Sequence, residues 1–205
     1  MTGALDVAVV ESRWWEEGNT SVRGLFEIIA TIKRDNPDAY HYEMFNNAPS
    51  LKEIIHRVSK KEYIRNLYIA AHGWEDGICG AERKDRNGVS RTRLGNMLSN
   101  RSITGLYLSS CLTENADTVY FLLERSNVCW IAGYSEEASW LEGASIDLYS
   151  WASYYKANNT GGADGRIRRV ARKMKNRMLP LCKQFGFNLF VRGDNGGVEP
   201  LLYDL

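Results

Sequence analysis

The sequence predicts an α/β fold with a mostly parallel sheet and helices on both faces. Short apolar runs of strand length alternate with longer segments of helical periodicity along almost the whole chain. Several of the short runs are apolar without alternation, which is typical of strands covered on both faces. A β-α-β-α succession favours parallel pairing with right-handed crossovers. The loops at the carboxyl ends of the strands are therefore the expected location of a functional site.

The first part of the chain contains three predicted strands and two predicted helices. Residues 5–10 form an almost continuous apolar run, and residues 40–45 form a second, more polar one. The helix between them has one apolar face, formed by Val22, Leu25, Phe26, Ile29 and Ile32. In the next helix Ser50 and Glu53 have the spacing of a capping box. The third strand follows this helix and ends at His72.

The remaining elements continue the alternation. Strands are predicted at residues 105–110, 128–132 and 187–191. Helices are predicted at residues 91–98, 138–155 and 164–184, and another helix is predicted from near residue 113 or 114, with apolar residues from Ala116 to Leu123. The polar stretch 74–89 contains the turn signal Arg86-Asn87-Gly88, which predicts a hairpin or a loop. No linker or repeat interrupts the pattern, so we expect one domain over residues 1–205.

Composition excludes several classes of protein. A hydrophobic content of 44% and a net charge of +1 are those of an ordinary globular chain, so we expect no direct binding to nucleic acid. No apolar run reaches the ~18 residues of a membrane helix. Residues 1–6 do not resemble a secretion signal, and the four cysteines have no paired spacing. We therefore expect a cytoplasmic location with reduced thiols. His41 and His56 lack metal-ligand spacing, so no metal or other cofactor is expected.

Two strand ends have the residues of a catalytic dyad. One strand ends at His72-Gly73 and another at Cys111, and in neighbouring parallel strands both would emerge at one edge of the sheet. A histidine beside a cysteine generates a thiolate nucleophile. A helix that begins near residue 113 or 114 would favour that thiolate through its N-terminal partial charge. Gly73 permits a close approach of the backbone to the reacting carbonyl. The chemistry indicated is acyl transfer, most simply the hydrolysis of a peptide bond.

These motifs resemble those of a known group of enzymes. They are Ala71-His72-Gly73 with Asp76-Gly77, and Leu108-Ser109-Ser110-Cys111-Leu112-Thr113. The chain resembles the caspase-like (clan CD) cysteine peptidases over residues 5–155, most closely the bacterial CHAT and caspase-like branch. The resemblance implies a three-layer sandwich around a six-stranded sheet, whose last strand, at 187–191, runs antiparallel. It also implies that Cys111 is the nucleophile, that His72 is the base and later the acid, and that the backbone N–H groups of Gly73 and Cys111 form the oxyanion hole.

The substrate preference stays open at this stage. Family members that cleave after Arg or Lys commonly have an aspartate two residues before the nucleophile, where this chain has Ser109. Arg13 would suit an acidic P1 residue, the one before the scissile bond, whereas Glu11, Glu136 and Glu137 would suit a basic one. The loop after the fifth strand usually forms a pocket wall in this family. The candidate substrate-binding residues are Arg13, Glu11, Ser109, Glu136, Glu137 and Trp140.

Three functions compete. The first is an endopeptidase that acts on protein or peptide and is activated by a partner, a sensor protein or a ligand; the basic loop 74–90 would be regulatory or self-cleaved. Family resemblance suggests a role in defence or cell death. The second is a catalytically silent scaffolding module with the same fold. The third, a flavodoxin-like ligand domain, is disfavoured because residues 11–15 are bulky and lack a phosphate-binding glycine.

Overall fold

We describe the chain from a computed structural model, which covers residues 3–13, 20–74, 76–79, 88–113, 115–158, 160–193 and 196–204. The strands in these ranges are β1 (Val7–Ser12), β2 (His41–Phe45), β3 (Asn66–Ala70), β4 (His72–Trp74), β5 (Gly77–Cys79), β6 (Val89–Ser90), β7 (Gly105–Ser109), β8 (Trp130–Tyr134), β9 (Phe187–Arg192) and β10 (Val198–Pro200). The helices are α1 (Arg23–Arg34), α2 (Ala48–Val58), α3 (Arg91–Leu98), α4 (Ala116–Arg125), α5 (Trp140–Lys156), α6 (Gly162–Arg177) and α7 (Leu179–Gln184). Within this part of the chain, no helix has the length and apolarity needed to cross a membrane.

The predicted α/β fold with a mostly parallel sheet is confirmed. The main sheet has the order β10-β9-β8-β7-β3-β1-β2, and the five strands from β8 to β2 are parallel. β9 runs antiparallel to β8, as the family resemblance implied. The described sheet has seven strands rather than six, because β10 folds back along β9 and pairs with it from Val198 to Pro200.

Two apolar layers cover the two faces of the sheet. On one face, α1, α5 and α6 pack around Tyr68 and Tyr107. On the other face, α2, α3 and α4 pack around Ile69 and Leu106. Neighbouring residues of a strand point to opposite faces, so the tyrosines of β3 and β7 lie on the α5 side and the aliphatic residues beside them lie on the other. This is the three-layer arrangement expected from the sequence.

Helices α1, α2 and α6 differ from the sequence predictions in detail. The capping box of α2 is formed by Asn47 and Ser50, which exchange hydrogen bonds between side chains and backbone, and not by Ser50 and Glu53. The helix predicted over 164–184 is two helices, because the chain leaves helical geometry at Met178 and Pro180 begins a new turn. Ile32, predicted on the buried face of α1, is 73% exposed.

A second, three-stranded sheet follows β3 almost directly. Ala71 alone separates β3 from β4, and β5 pairs antiparallel with both β4 and β6. The predicted turn residues Arg86 and Asn87 lie outside the described residues. This small sheet stands at the carboxyl end of β3, so it forms one wall of the region where the functional site was expected.

Candidate active site

The ends of β3 and β7 bring His72 and Cys111 into one cavity. The two strands are adjacent and parallel, with Ala70 opposite Ser109. The pairing extends one residue further, since the Ala71 N–H donates to the Ser109 carbonyl at 3.4 Å. His72 lies two positions after Ala70 in the sequence, and Cys111 lies two positions after Ser109. Both residues line a cavity of about 480 Å³ at the carboxyl edge of the sheet.

Gly73 lies against the main chain of Cys111. A Cβ atom on Gly73 would lie 1.7 Å from the Cys111 carbonyl oxygen and 2.9 Å from Cγ2 of Thr113. Real Cβ contacts of this length do not occur, and a backbone atom is not free to move aside. The start of β4 and the turn after β7 can therefore approach this closely only with glycine at position 73.

The turn after β7 is tightly held. Leu112, directly after Cys111, has a φ angle of 58°, in the left-handed region that bulky residues rarely adopt. The Thr113 hydroxyl donates to the Ser110 carbonyl at 2.9 Å and so closes the turn. Backbone strain of this kind is common where a reactive side chain must be held in a particular direction.

Helix α4 begins later than the sequence predicted. Its first residue is Ala116, and the Asn115 side chain accepts from the Thr118 N–H at 2.8 Å, so the expected start at 113 or 114 is wrong. The reason is the turn at Leu112, which must be completed before helical geometry begins. Cys111 is thus four residues before the N-cap, and Asp117 occupies the first turn, where the partial positive charge is greatest.

The thiol of Cys111 faces the loop between β8 and α5. Its sulfur lies 3.8 Å from the Ala138 carbonyl oxygen, to which the thiol donates. The side chain is half-buried. The hydrogen of the thiol is therefore engaged by this carbonyl. For Cys111 to react, this contact with Ala138 must be broken.

A buried carboxylate, Asp147 of α5, closes the floor of the cavity. It is 2% exposed and accepts four hydrogen bonds from hydroxyl groups. The donors are Tyr68 at 2.5 Å, Tyr107 at 2.6 Å, Tyr134 at 2.5 Å and Ser109 at 2.7 Å. Burial raises the pKa of Asp147, and the four hydrogen bonds act in the opposite direction. The pKa values of the three tyrosines are raised well above normal, first by burial and then by the charge of Asp147.

Asp147 was not among the residues predicted from the sequence, although the pattern contained a signal for it. It lies three residues after Ala144 and four before Trp151, on the face of α5 that packs against the sheet. A single acidic residue at an inward position of an apolar stripe requires polar partners in the core. Here the tyrosines of the neighbouring strands provide them.

Three of the predicted substrate-binding residues line the cavity. Ser109 is at the floor beside Asp147, while Glu137 and Trp140 come from the loop before α5 and the first turn of α5. Among the described residues of the lining, the only carboxylates are those of Asp147 and Glu137, and none is a lysine or arginine. The cavity therefore has an acidic character.

The structure does not bring the other three predicted residues to the cavity. Glu11 is fully buried and holds the start of α1, accepting from the Ser21 hydroxyl at 2.6 Å, the Val22 N–H at 2.9 Å and the Tyr42 hydroxyl at 2.7 Å. The Glu11 carboxylate is not available to a substrate, because β1 extends two residues further than predicted and Glu11 is a buried residue of this strand. Arg13 and Glu136 are exposed and do not line the cavity.

Comparison with known proteins identifies the fold. No family model matches the sequence, and no curated protein matches it. Among solved structures, the chain is similar to an inactive zymogen of a C11 protease from Parabacteroides distasonis, with a TM-score of 0.54 and 12% sequence identity. The fold is similar to that of a clan CD cysteine protease. The match covers 94% of this chain and 63% of the zymogen chain, and at this identity it shows the fold alone. It supports the caspase-like resemblance but does not distinguish the CHAT branch.

Proposed function

We propose that the protein is a cysteine endopeptidase that hydrolyses peptide bonds with Cys111 as nucleophile and His72 as general base. The main support is that both residues line one cavity at the carboxyl ends of adjacent parallel strands. The similarity of the fold to that of a C11 protease supports peptidase chemistry, and the contact between Gly73 and Cys111 fixes the two segments relative to each other.

In this mechanism His72 takes the proton from the Cys111 sulfur, and the thiolate attacks the carbonyl carbon of the scissile bond. The oxyanion that forms would be stabilised by the backbone N–H groups of Gly73 and Cys111. The tetrahedral intermediate collapses when protonated His72 gives its proton to the leaving amine, leaving an acyl-enzyme. Water then attacks the thioester carbonyl while His72 accepts its proton, and the acid product and free Cys111 are released.

The proposal includes an activation step. In the described conformation the Cys111 thiol donates to the Ala138 carbonyl, so its proton is engaged by the loop before α5. A partner protein or ligand that moves this loop would free the thiol for His72. Self-cleavage in the loop 74–90 remains a second route, and most of that loop lies outside the described residues. A role in defence or cell death, a CHAT-type assignment and a cytoplasmic location remain predictions from the sequence.

The alternative is a catalytically silent module that keeps the fold for binding. The observation in its favour is the same contact, because a thiol that donates permanently to Ala138 is not a nucleophile. The two functions differ in the reactivity of Cys111. A catalytic Cys111 reacts faster with an alkylating reagent than the half-exposed Cys129, whose pKa is raised by burial.

The test is cleavage of a fluorogenic peptide library by the wild type, Cys111→Ala and His72→Ala, with Cys129→Ala as the matched control. Once the loop before α5 has released the thiol, we expect cleavage by the wild type and the control, and none by the two dyad variants. Iodoacetamide alkylation followed residue by residue by mass spectrometry gives an independent measurement. Absence of cleavage together with a Cys111 no more reactive than Cys129 would establish the silent module.

A further inference from the structure

Helices α1 and α5 present large apolar side chains to solvent. Six such side chains are exposed within the described residues, and four of them belong to these two helices: Ile28, Ile32, Trp140 and Leu141. Ile32 and Leu141 are the most exposed of the six, at 73% and 69%. Single exposed apolar residues are ordinary, whereas a contiguous apolar patch marks an interaction site. The positions of these side chains on the two helices therefore decide their meaning.

The exposed residues lie on the flanks of α1 and α5 that face each other. The two helices are in contact, and Leu25 of α1 and Ala144 of α5 both line the cavity. Ile28 and Ile32 are three and seven residues after Leu25, so they share its flank of α1. Leu141 is three residues before Ala144 and shares its flank of α5. Together these flanks form one surface, the α1–α5 face, with the apolar members Leu25, Ile28, Ile32, Leu141 and Leu148.

The middle of the α1–α5 face has no charge, and its two ends have opposite charges. There is no acidic or basic residue over positions 28–32, and the only one over 143–155 is Asp147, which is buried. Arg34 lies in the last turn of α1 and Glu142 in the first turn of α5. No ion pair within the described residues includes either of them. An apolar centre with a polar rim is the usual anatomy of a protein interface.

The two helices run in the same direction away from the cavity. α1 begins beside the cavity and leads to the start of β2, and α5 ends where Tyr154 accepts a hydrogen bond of 2.9 Å from Asn66 at the start of β3. Leu141 is therefore at the cavity end of the α1–α5 face, and Ile32 is at the far end. The two most exposed apolar residues are thus separated along the face, each next to one of the two charges.

This arrangement makes the α1–α5 face complementary to a second copy of itself. A two-fold axis perpendicular to the helices reverses their direction, so it places Ile32 of each copy opposite Leu141 of the other. The same operation brings Arg34 of each copy to the end of the face that carries Glu142. A two-fold interface uses one patch twice and requires such self-complementarity. Opposite charges at the rim also favour this orientation over a parallel one.

The size of the α1–α5 face fits a dimer of moderate affinity. The 12 residues of α1 make the face about 18 Å long, and two neighbouring helices make it about 20 Å wide. With the relief of its side chains, such a face has on the order of 600 Å² of accessible surface, so two copies would bury about 1,200 Å². This area is at the lower limit of stable interfaces. We therefore expect a dissociation constant of about 1–10 µM.

We propose that the α1–α5 face binds a second copy of this chain, in a two-fold symmetric dimer in which Ile32 of each protomer packs on Leu141 of its partner. The interface is made by helices, and the edge strands β2 and β10 take no part in it. The cavity lies at the carboxyl edge of the sheet and not on this face. Both cavities therefore stay open, at opposite ends of the dimer. This inference goes beyond the proposed function and does not depend on peptidase activity.

The test is sedimentation velocity of the full chain over a concentration series from about 1 to 100 µM, which brackets the expected dissociation constant. We expect the wild type to change from the 23.3 kDa monomer to a species of twice that mass. Ile32→Glu and Leu141→Glu each place an unpaired charge in the apolar centre, so each should weaken the dimer at least about tenfold, or about 1.4 kcal/mol. Both positions are exposed in the monomer, so the variants should keep the wild-type circular dichroism spectrum.

Two further variants distinguish this dimer from general apolar association. Met44→Glu replaces an exposed apolar residue of β2, outside the α1–α5 face, and should leave the dissociation constant unchanged. The double variant Ile32→Lys with Leu141→Glu puts opposite charges at the two positions that meet across the two-fold axis. It should dimerise more tightly than Leu141→Glu alone, because the lysine of each copy meets the glutamate of the other.

The outcomes that overturn the inference are specific. A wild type that stays monomeric at about 100 µM lacks the interface, since this concentration is well above the expected dissociation constant. A dimer that Met44→Glu weakens as much as Ile32→Glu does not use the α1–α5 face. A double variant no tighter than Leu141→Glu alone excludes the antiparallel contact between positions 32 and 141. Assembly beyond the dimer excludes a closed two-fold interface.

Discussion

Gly73 and Cys111 are in contact through their main chains, and a Cβ on Gly73 would lie 1.7 Å from the Cys111 carbonyl oxygen. The contact joins the small sheet to the turn after β7, and these are the two segments that carry the proposed base and nucleophile. The distance between the side chains of His72 and Cys111 depends on this approach, because each side chain leaves the backbone within one residue of it. The site is thus sensitive to a single methyl group at position 73.

We expect Gly73→Ala to abolish peptide cleavage and to lower the melting temperature, because the new Cβ would overlap a backbone oxygen. The matched control is Gly24→Ala in α1, where a Cβ meets nothing within 4 Å. That control should be more stable than the wild type by about 1 kcal/mol, since alanine is the better helix former. Thermal melts and cleavage assays on both variants measure the difference. A Gly73→Ala protein with wild-type melting and activity would contradict the close approach.

The strained turn at Leu112 gives a second prediction. With φ at 58°, this position disfavours β-branched residues most strongly and tolerates asparagine. We expect Leu112→Val to be less stable than Leu112→Asn by about 1 kcal/mol or more, despite the closer similarity of valine to leucine. Urea denaturation of the two variants tests this, and the reverse order would show that side-chain packing outweighs backbone conformation here.

Removal of the Asp147 side chain should destabilise the fold strongly. Asp147→Ala would remove an acceptor from four hydroxyl groups, three of them on buried tyrosines, although Tyr134 keeps a second acceptor in the Gly143 carbonyl at 3.1 Å. The cost is about 1–3 kcal/mol for each buried group left without a partner. Asp147→Asn keeps an acceptor and the shape, and hydroxyl groups can rotate to accept from its amide. We therefore expect a much larger loss of unfolding free energy for alanine than for asparagine. Equal losses would mean that the hydroxyl network contributes little.

The raised pKa of Asp147 predicts a pH dependence of stability. An unfolded aspartate has a pKa of about 3.9, so between that value and the raised folded pKa the folded state binds a proton that the unfolded state has lost. The contribution of Asp147 is thus fully favourable below about pH 4 and is lost as the pH rises through the folded pKa. Relative to Asp147→Asn, the wild type should lose stability as the pH increases. Urea denaturation of both proteins over a pH series measures this, and parallel curves would refute it.

The link between α6 and β10 predicts a pH dependence of the opposite sign. Arg168 donates two hydrogen bonds of 2.6 Å to Glu199, and this contact lowers the pKa of Glu199. The stabilisation is present above the unfolded pKa of about 4.3 and is lost as the pH falls through the lowered folded value. Because the pair is partly exposed, we expect it to contribute no more than about 1 kcal/mol.

Hydrogen exchange of the β9 and β10 amides tests this link. Glu199→Gln should speed exchange in β10 without an effect on β1 or β3. Glu27→Gln, which breaks the exposed pair between Arg23 and Glu27 in α1, is the control and should leave β10 unchanged. If the β10 amides exchange at the same rate in the wild type and both variants, β10 is held by its pairing with β9 alone.

Much of the architecture was predictable because periodicity is a local property. The helix predicted over 91–98 is α3 with the same bounds, and each predicted strand of the main sheet is found within about two residues of its expected position. β10 was missed because it has only three residues, one of them Pro200, and shows no alternation. The true N-cap of α2, Asn47, was missed because Ser50 fits two capping boxes. It can be the N-cap residue with Glu53 three positions later, or the residue three positions after an N-cap at Asn47, and the structure has the second arrangement.

The sequence by itself determined the fold class and the two strand ends with His72 and Cys111, since each depends on residues close together in the chain. The tertiary structure alone decided the environment of the charges. Glu11 is buried in the core, and Asp147 lies at the floor of the cavity. Asp147 accepts a hydrogen bond from Tyr68, which is 79 residues earlier in the chain. Burial and hydrogen-bond partners arise from contacts between distant segments, and these are fixed only when the helices pack on the sheet.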